Sequence, residues 1–141
     1  MDMLASWSPL YSVGHDLLDR QHQQLLSLCQ QAQLCVADDS EEGNEAFHFL
    51  LHELSVYARV HFRSEEEILA ARGYDRLDEQ MREHTEYIER LTEFLLLAAN
   101  GMLDKIGVET FLSSWWINHI LVSDMQYAAL MRGERQDDQR S

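Results

Sequence analysis

Proline is all but missing from this chain, which has one, Pro9, and glycine is held to six positions in 141 residues. Four of those glycines, Gly14, Gly43, Gly73 and Gly101, fall where the apolar periodicity breaks, the punctuation expected of a helical protein. Basic residues are scarce as well. Lys and Arg number 11 against 25 Asp and Glu, a formal charge of −14. Such a surface repels phosphate backbones and anionic lipid, so nucleic acid is not an expected partner. No apolar run approaches the roughly 20 residues that span a bilayer. The N-terminal MDMLASWSPL has an acid at position 2 and lacks both a basic start and an apolar core of the signal-peptide kind, so a cytoplasmic location without membrane insertion is expected. The two cysteines, Cys29 and Cys35, fall on one expected helix, about 9 Å apart along its axis, beyond disulfide reach. They read as small core residues in a reducing compartment.

What is present is helical amphipathicity. Apolar residues recur at spacings of three and four in Leu18, Leu25, Cys29, Ala32, then in Leu50, Leu54, Tyr57, Ile68, in Leu77, Ile88, Leu91, Leu95, and in Leu112, Trp115, Trp116, Ile120. Four helices are predicted, over 16–37, 44–71, 75–99 and 105–132. Their short connections favour antiparallel neighbours, hence an all-α, up-down-up-down four-helix bundle of one domain, residues 1–132. The first 15 residues lack helical periodicity and are expected to pack as an extended arm through Trp7 and Tyr11. Residues 133–141 read as a polar tail or the start of a linker.

The informative residues interrupt the apolar stripes. On the second helix the inward stripe Leu50, Leu54, Tyr57, His61, Glu65, Ile68 gives two consecutive core positions to an imidazole and a carboxylate. The first helix turns His22 inward between Leu18 and Leu25, and the third turns Gln80 and His84 inward between Leu77 and Ile88. The fourth brings His119 and then Asp124. Any one of these is ordinary: a lone HxxxE is more often a solvated pair or a hydrogen-bonded core histidine than a metal site. Four imidazoles and two carboxylates converging from four helices are hard to desolvate without a cation. Mixed His and carboxylate ligation in a bundle core suits iron or manganese, often as a carboxylate-bridged pair. One geometrical difficulty stands out. His119 and Asp124, five residues apart, lie about 140° apart around an ideal α-helix, so both reach one site only if the site is large or the helix deviates there. His48 and His52 share an i, i+4 spacing but point away from the site and read as solvent-facing or interhelical. His15 reads as a surface residue, and Glu66 and Glu67 as solvated.

The ordered segments VGHDLLDRQH (13–22), YARVHFRSEEEIL (57–69), MREH (81–84) and WWINHILVSDMQY (115–127), with Trp7 and Tyr11 before them, resemble the bacterial hemerythrins over nearly the whole chain. The resemblance implies a four-helix bundle around two iron ions, an oxo- or hydroxo-bridged non-haem di-iron centre with five histidines and two bridging carboxylates, and O2 as ligand. Carried over by position, His22 and His61 resemble the ligands of the iron that leaves a place for O2, His84 and His119 those of the other iron, and Glu65 and Asp124 the bridges. Phe62, Trp115 and Trp116 read either as a dry lining for the pocket or as plain bundle core.

The third-helix pattern of that family is His-x3-His, and its first histidine falls on Gln80. Three outcomes are open: water or another small ligand takes that place, the amide oxygen of Gln80 ligates weakly, or the second iron is lost. An added exchangeable position admits water and small anions and favours fast oxidation over long-lived O2 binding. The resemblance therefore implies an oxygen or redox sensor that is not an enzyme, acting alone or with a signalling module or partner protein such as a diguanylate cyclase or chemoreceptor. The alternatives are a free-standing oxygen carrier or store and, in another class, a di-iron oxidase or peroxidase-like enzyme.

Overall fold

The structure, a computed structural model, describes residues 7–140, with side chains over 7–132. Its elements in chain order are a 3-10 turn at Pro9–Tyr11, α1 (Asp16–Leu34), α2 (Glu41–Ala71), α3 (Leu77–Ala99), α4 (Lys105–Asn118), a π-helical segment (His119–Asp124) and α5 (Met125–Arg140). The first helix packs on the second and fourth, the second on the third, and the third on the fourth, which closes the antiparallel bundle. The described part of the N-terminal arm is held by Trp7 and Tyr11, both packed against the core. Along it the chain makes one 3-10 turn at Pro9–Tyr11, capped by Ser8, and residues 1–6 of the expected extended arm lie outside the described residues. The helix continues past residue 132, so the stretch read as a tail extends α5 to Arg140.

Local chemistry sets the helix ends. Ser40 accepts from the Gly43 amide at 3.0 Å and so starts α2 earlier than residue 44, with Glu41 and Glu42 favourably placed in the first turn. Gly43 therefore lies inside a helix and does not break one. A Cβ there would run into the Asp38 carboxylate. The second and third helices end alike. Gly73 (φ 66°) and Gly101 (φ 81°) adopt the left-handed conformation, and Tyr74 N donates to Leu69 O at 3.0 Å as Met102 N donates to Leu97 O at 2.8 Å. Both are Schellman closures. His15, read as a surface residue, is partly buried and caps α1 by accepting from the Leu18 amide.

The apolar interior falls into two clusters. The larger runs from Leu25 and Phe47 through Leu54, Phe62, Tyr87 and Leu91 to Trp116 and Ile120, and Cys29 is part of it. The smaller holds Val13, Leu18, Leu69, Tyr127, Ala128 and Met131. On each helix the inward polar residues lie between these clusters, so the bundle sandwiches a polar layer between two dry ones. Cys29 and Cys35 are free thiols, the first buried. Among the described residues no helix is long and apolar enough to cross a membrane.

Candidate metal centre

The polar layer contains all six expected ligand-type residues. His22, His61, Glu65 and Asp124 are wholly buried, and His119 and His84 are 1% and 3% exposed. His22 comes from α1, His61 and Glu65 from consecutive turns of α2, His84 from α3, and His119 and Asp124 from the two ends of the π segment. That segment resolves the spacing difficulty. A π turn takes in more residues than an α turn, because its hydrogen bonds run from i to i+5. Residues five apart therefore return to the same face, and His119 Nε2 lies 3.1 Å from Asp124 Oδ1.

Each carboxylate spans the layer. Glu65 turns Oε1 toward His84 Nε2 at 2.8 Å and His119 Nε2 at 3.3 Å, and Oε2 toward His61 Nε2 at 3.5 Å and His22 Nε2 at 3.7 Å. Asp124 turns Oδ2 toward His22 Nε2 at 3.0 Å and Oδ1 toward His119. One oxygen of each acid thus faces the His22–His61 pair and the other the His84–His119 pair, the arrangement of two bridging carboxylates. Two donor groups result, His22, His61, Glu65 and Asp124 in one and Glu65, His84 and His119 in the other, each with one ligand atom per residue within 4.8 Å of the rest.

Nitrogen lone pairs and carboxylate oxygens converge here without pairing fully. His22 Nε2, His61 Nε2 and Asp124 Oδ2 are buried and have no hydrogen-bond partner. His22 Nε2 and Asp124 Oδ2 are near neighbours at 3.0 Å, an ion-pair distance, without a hydrogen bond between them. Buried donors and acceptors left unpaired cost on the order of 1–3 kcal/mol each, so the arrangement suits a cation that all of them face. Mixed imidazole and carboxylate donors match iron or manganese.

The electrostatics without metal agree. Burial opposes charge on His22 and His119, but Asp124 and Glu65 outweigh it, with Glu83 adding to His119, and the two imidazoles are pushed up to about 9 and about 10. Burial dominates at His61, lowering it to about 4 despite Glu65. Burial resists ionisation of Glu65, yet His61, His119 and His22 hold it well below the usual carboxylate range. Asp124 is raised by burial and by Glu65 beside it. The protons on two histidines stand in for positive charge that a cation would supply.

A second set of groups orients the rings, and spacing alone does not reveal most of it. His61 Nδ1 meets Gln21 Oε1 at 2.8 Å, and Gln21 is held in turn by Ser64. His84 Nδ1 meets Glu66 Oε2 at 2.7 Å. Glu66 is therefore not merely solvated as expected, whereas Glu67 is exposed and pairs with Arg63 at 3.4 Å. His119 Nδ1 meets Glu83 Oε1 at 3.0 Å, and the Ser123 hydroxyl donates to that same oxygen at 2.7 Å. Tyr127, buried, donates its hydroxyl to Glu65 Oε2 at 2.7 Å. Each of these residues lies within one of the quoted segments, but the partner is often on another helix: Glu83 directly precedes His84 yet serves His119.

Gln80 is 2% exposed and donates from Nε2 to Asp124 Oδ1 at 3.1 Å, while its Oε1 is buried and unpaired. Phe62 stacks on His84 with ring centres 3.9 Å apart, and Trp115 stacks on His119 at 4.4 Å. Trp116 lies 6.0 Å from the His61 ring and donates its indole N–H to Tyr87. His48 and His52 face each other at 6.0 Å, remote from the layer in sequence register, and His52 is exposed.

Fold and donor set together define a four-helix-bundle protein with a histidine–carboxylate site for paired metal ions. The hemerythrin HHE cation binding domain model matches residues 13–131. The chain is 30% identical over 125 residues to a bacteriohemerythrin of Stenotrophomonas maltophilia (strain R551-3), covering 89% of this chain and 80% of that protein. It is 28% identical over 121 residues to the myohemerythrin of Riftia pachyptila, covering 86% and 88% respectively. A crystal structure of wild-type hemerythrin superposes with a TM-score of 0.81 at 20% identity, over 89% of this chain and 96% of that one, a likeness of fold. The chain belongs to the hemerythrin family, whose members hold a non-haem di-iron centre that binds O2.

Proposed function

We propose that the protein is an oxygen or redox sensor that acts through a di-iron centre, with His22 and His61 for the O2-facing iron, His84 and His119 for the other, and Glu65 and Asp124 as bridges. The observation that carries the ligand assignment is the division of each carboxylate between the two histidine pairs. A di-iron centre held there supplies redox chemistry toward O2. The chain's own part is to exclude water with two apolar clusters, to orient three of the imidazoles through Gln21, Glu66 and Glu83, and to hold Glu65 in place through Tyr127.

Sensing is favoured over storage by two features. Gln80 stands where the family pattern has a histidine, which leaves the His84–His119 side one imidazole short. His119 and Asp124 also sit at the two ends of the π segment that joins α4 to α5. A change in what these two side chains hold would bear directly on that segment, and through it on α5. A cytoplasmic setting and a signalling partner suit this role; the carrier or store is the competing reading.

Iron content per chain, with visible absorption of the anaerobically reduced protein before and after air, tests the proposal. Two irons and a charge-transfer band appearing on exposure are expected, with decay within minutes for a sensor. A band that persists for hours favours the carrier, and one iron or none overturns the dinuclear reading.

A further inference from the structure

The two halves of the centre have unequal donor sets, and the inequality centres on Gln80. The half bounded by His22, His61, Glu65 and Asp124 has four buried residues. Three of its donor atoms, His22 Nε2, His61 Nε2 and Asp124 Oδ2, have no hydrogen-bond partner, and the fourth, Glu65 Oε2, accepts from the Tyr127 hydroxyl at 2.7 Å. The half bounded by Glu65, His84 and His119 has three donor residues. Asp124 Oδ1 is the natural fourth donor there, 3.1 Å from His119 Nε2, but it also accepts a hydrogen bond from Gln80 Nε2 at 3.1 Å.

We infer that the His22–His61 half is the tight metal position and that Gln80, by holding Asp124 Oδ1, keeps the His84–His119 half a weaker and exchangeable one. The inference rests on the dinuclear reading above. An ionised carboxylate only accepts hydrogen bonds, so the Gln80 atom facing it is the NH2 group and the amide oxygen is turned away. Turning the amide to offer Oε1 to a metal would break that hydrogen bond and set oxygen against oxygen at Asp124. Gln80 therefore acts as a hydrogen-bond donor and not as a substitute ligand. An oxygen lone pair committed to a hydrogen-bond donor is a poorer donor to a cation, and the His84–His119 half, with one donor residue fewer, has less to offset that than the half in which Tyr127 holds Glu65 Oε2. The half is not dismantled, because Glu66 and Glu83 hold His84 and His119 by their outer nitrogens, which raises imidazole basicity. At limiting metal the chain then holds one ion, and at excess it holds two. The supply of the second ion becomes a variable that the protein responds to.

The test is an anaerobic titration of the metal-free protein with cobalt(II), read by d–d absorption and by broadening of histidine ring protons in NMR. Wild type is expected to show two steps, the second weaker by about 10- to 100-fold, the usual size of an outer-sphere effect on metal affinity. His22 and His61 resonances should broaden in the first step and those of His84 and His119 in the second. Gln80→His should bring the steps together. Gln80→Leu, which frees Asp124 Oδ1 without adding a ligand, should tighten the second step relative to wild type. Loss of the second step in Gln80→Leu, with the far-ultraviolet circular dichroism unchanged, would make the amide oxygen a ligand and overturn the inference. Two equal steps in wild type would overturn it too but leave the dinuclear reading intact. No cobalt uptake at either half would sink both.

Discussion

His119 Nε2 and Asp124 Oδ1 lie 3.1 Å apart across one π turn, and on a regular α-helix of the same sequence they would diverge by about 140°. Among the described residues this is the only π segment, and it sits where two ligand-type side chains must share a face. His119 is anchored there by Glu83, an acid of the neighbouring helix.

Replacing Glu83 should therefore loosen metal without unfolding the bundle. Glu83→Gln keeps the volume but removes the anion that accepts from His119 Nδ1 and Ser123 Oγ. Affinity for iron(II) or cobalt(II) is expected to fall about 10- to 100-fold. An unchanged binding isotherm would mean that Glu83 does not govern the ring.

Tyr127→Phe leaves Glu65 Oε2 without its hydroxyl donor in a site closed to water. A hydrogen bond to a charged acceptor contributes about 1.5–3 kcal/mol, so urea denaturation of the metal-free variant should show a loss of that order. Iron or cobalt should recover part of it by taking up the same lone pair.

The metal-free protein should be most stable near neutral pH and slightly below. His22 and His119 rise from 6.5 to about 9 and about 10 on folding. The folded chain then binds more protons than the unfolded one in that window, so this stabilisation is complete below 6.5 and is lost as pH climbs through 9 to 10. His61, lowered to about 4, has the opposite sense: its contribution is present above 6.5 and is lost as pH falls toward 4. Metal affinity should run the other way from the first pair and strengthen with rising pH, because binding must displace about two protons at pH 7.5. Calorimetric titrations in buffers of different ionisation enthalpy count those protons directly. Release near zero would contradict the protonation of His22 and His119.

Gly73→Ala tests the turn that delivers α3. Nothing lies within 4 Å of the added Cβ, but φ is 66°. The cost is then conformational strain of about 1–2 kcal/mol, with no clash. Denaturant midpoints of the metal-free protein would show it, and a neutral substitution would mean that the loop relaxes.

Periodicity was enough to read the first three helices to within a few residues, because a bundle helix writes its buried face into spacings of three and four, whereas the fourth, expected over 105–132, is broken by the π segment and runs on to Arg140. The same logic exposed the ligand-type residues: an imidazole or carboxylate in an apolar stripe is conspicuous, since burying it uncompensated costs so much. Helix starts were less legible, as at Ser40, where a side-chain cap begins α2 ahead of its apolar stripe. Glu66, Glu83 and Tyr127 were not legible in their roles. Each lies within a quoted segment, but what it holds lies on a different helix, and only packing determines which partner it meets. The π segment was visible only as a misfit between His119 and Asp124.

The sequence by itself determined that polar, ligand-type side chains would enter the core from every helix, for that follows from local spacing and the cost of burial. Only the tertiary structure decided how they divide: one oxygen of Glu65 and Asp124 to each histidine pair, and the Gln80 amide on Asp124. Those are distances between helices, set by how the two apolar clusters clamp the layer between them, and no spacing along one chain segment encodes them.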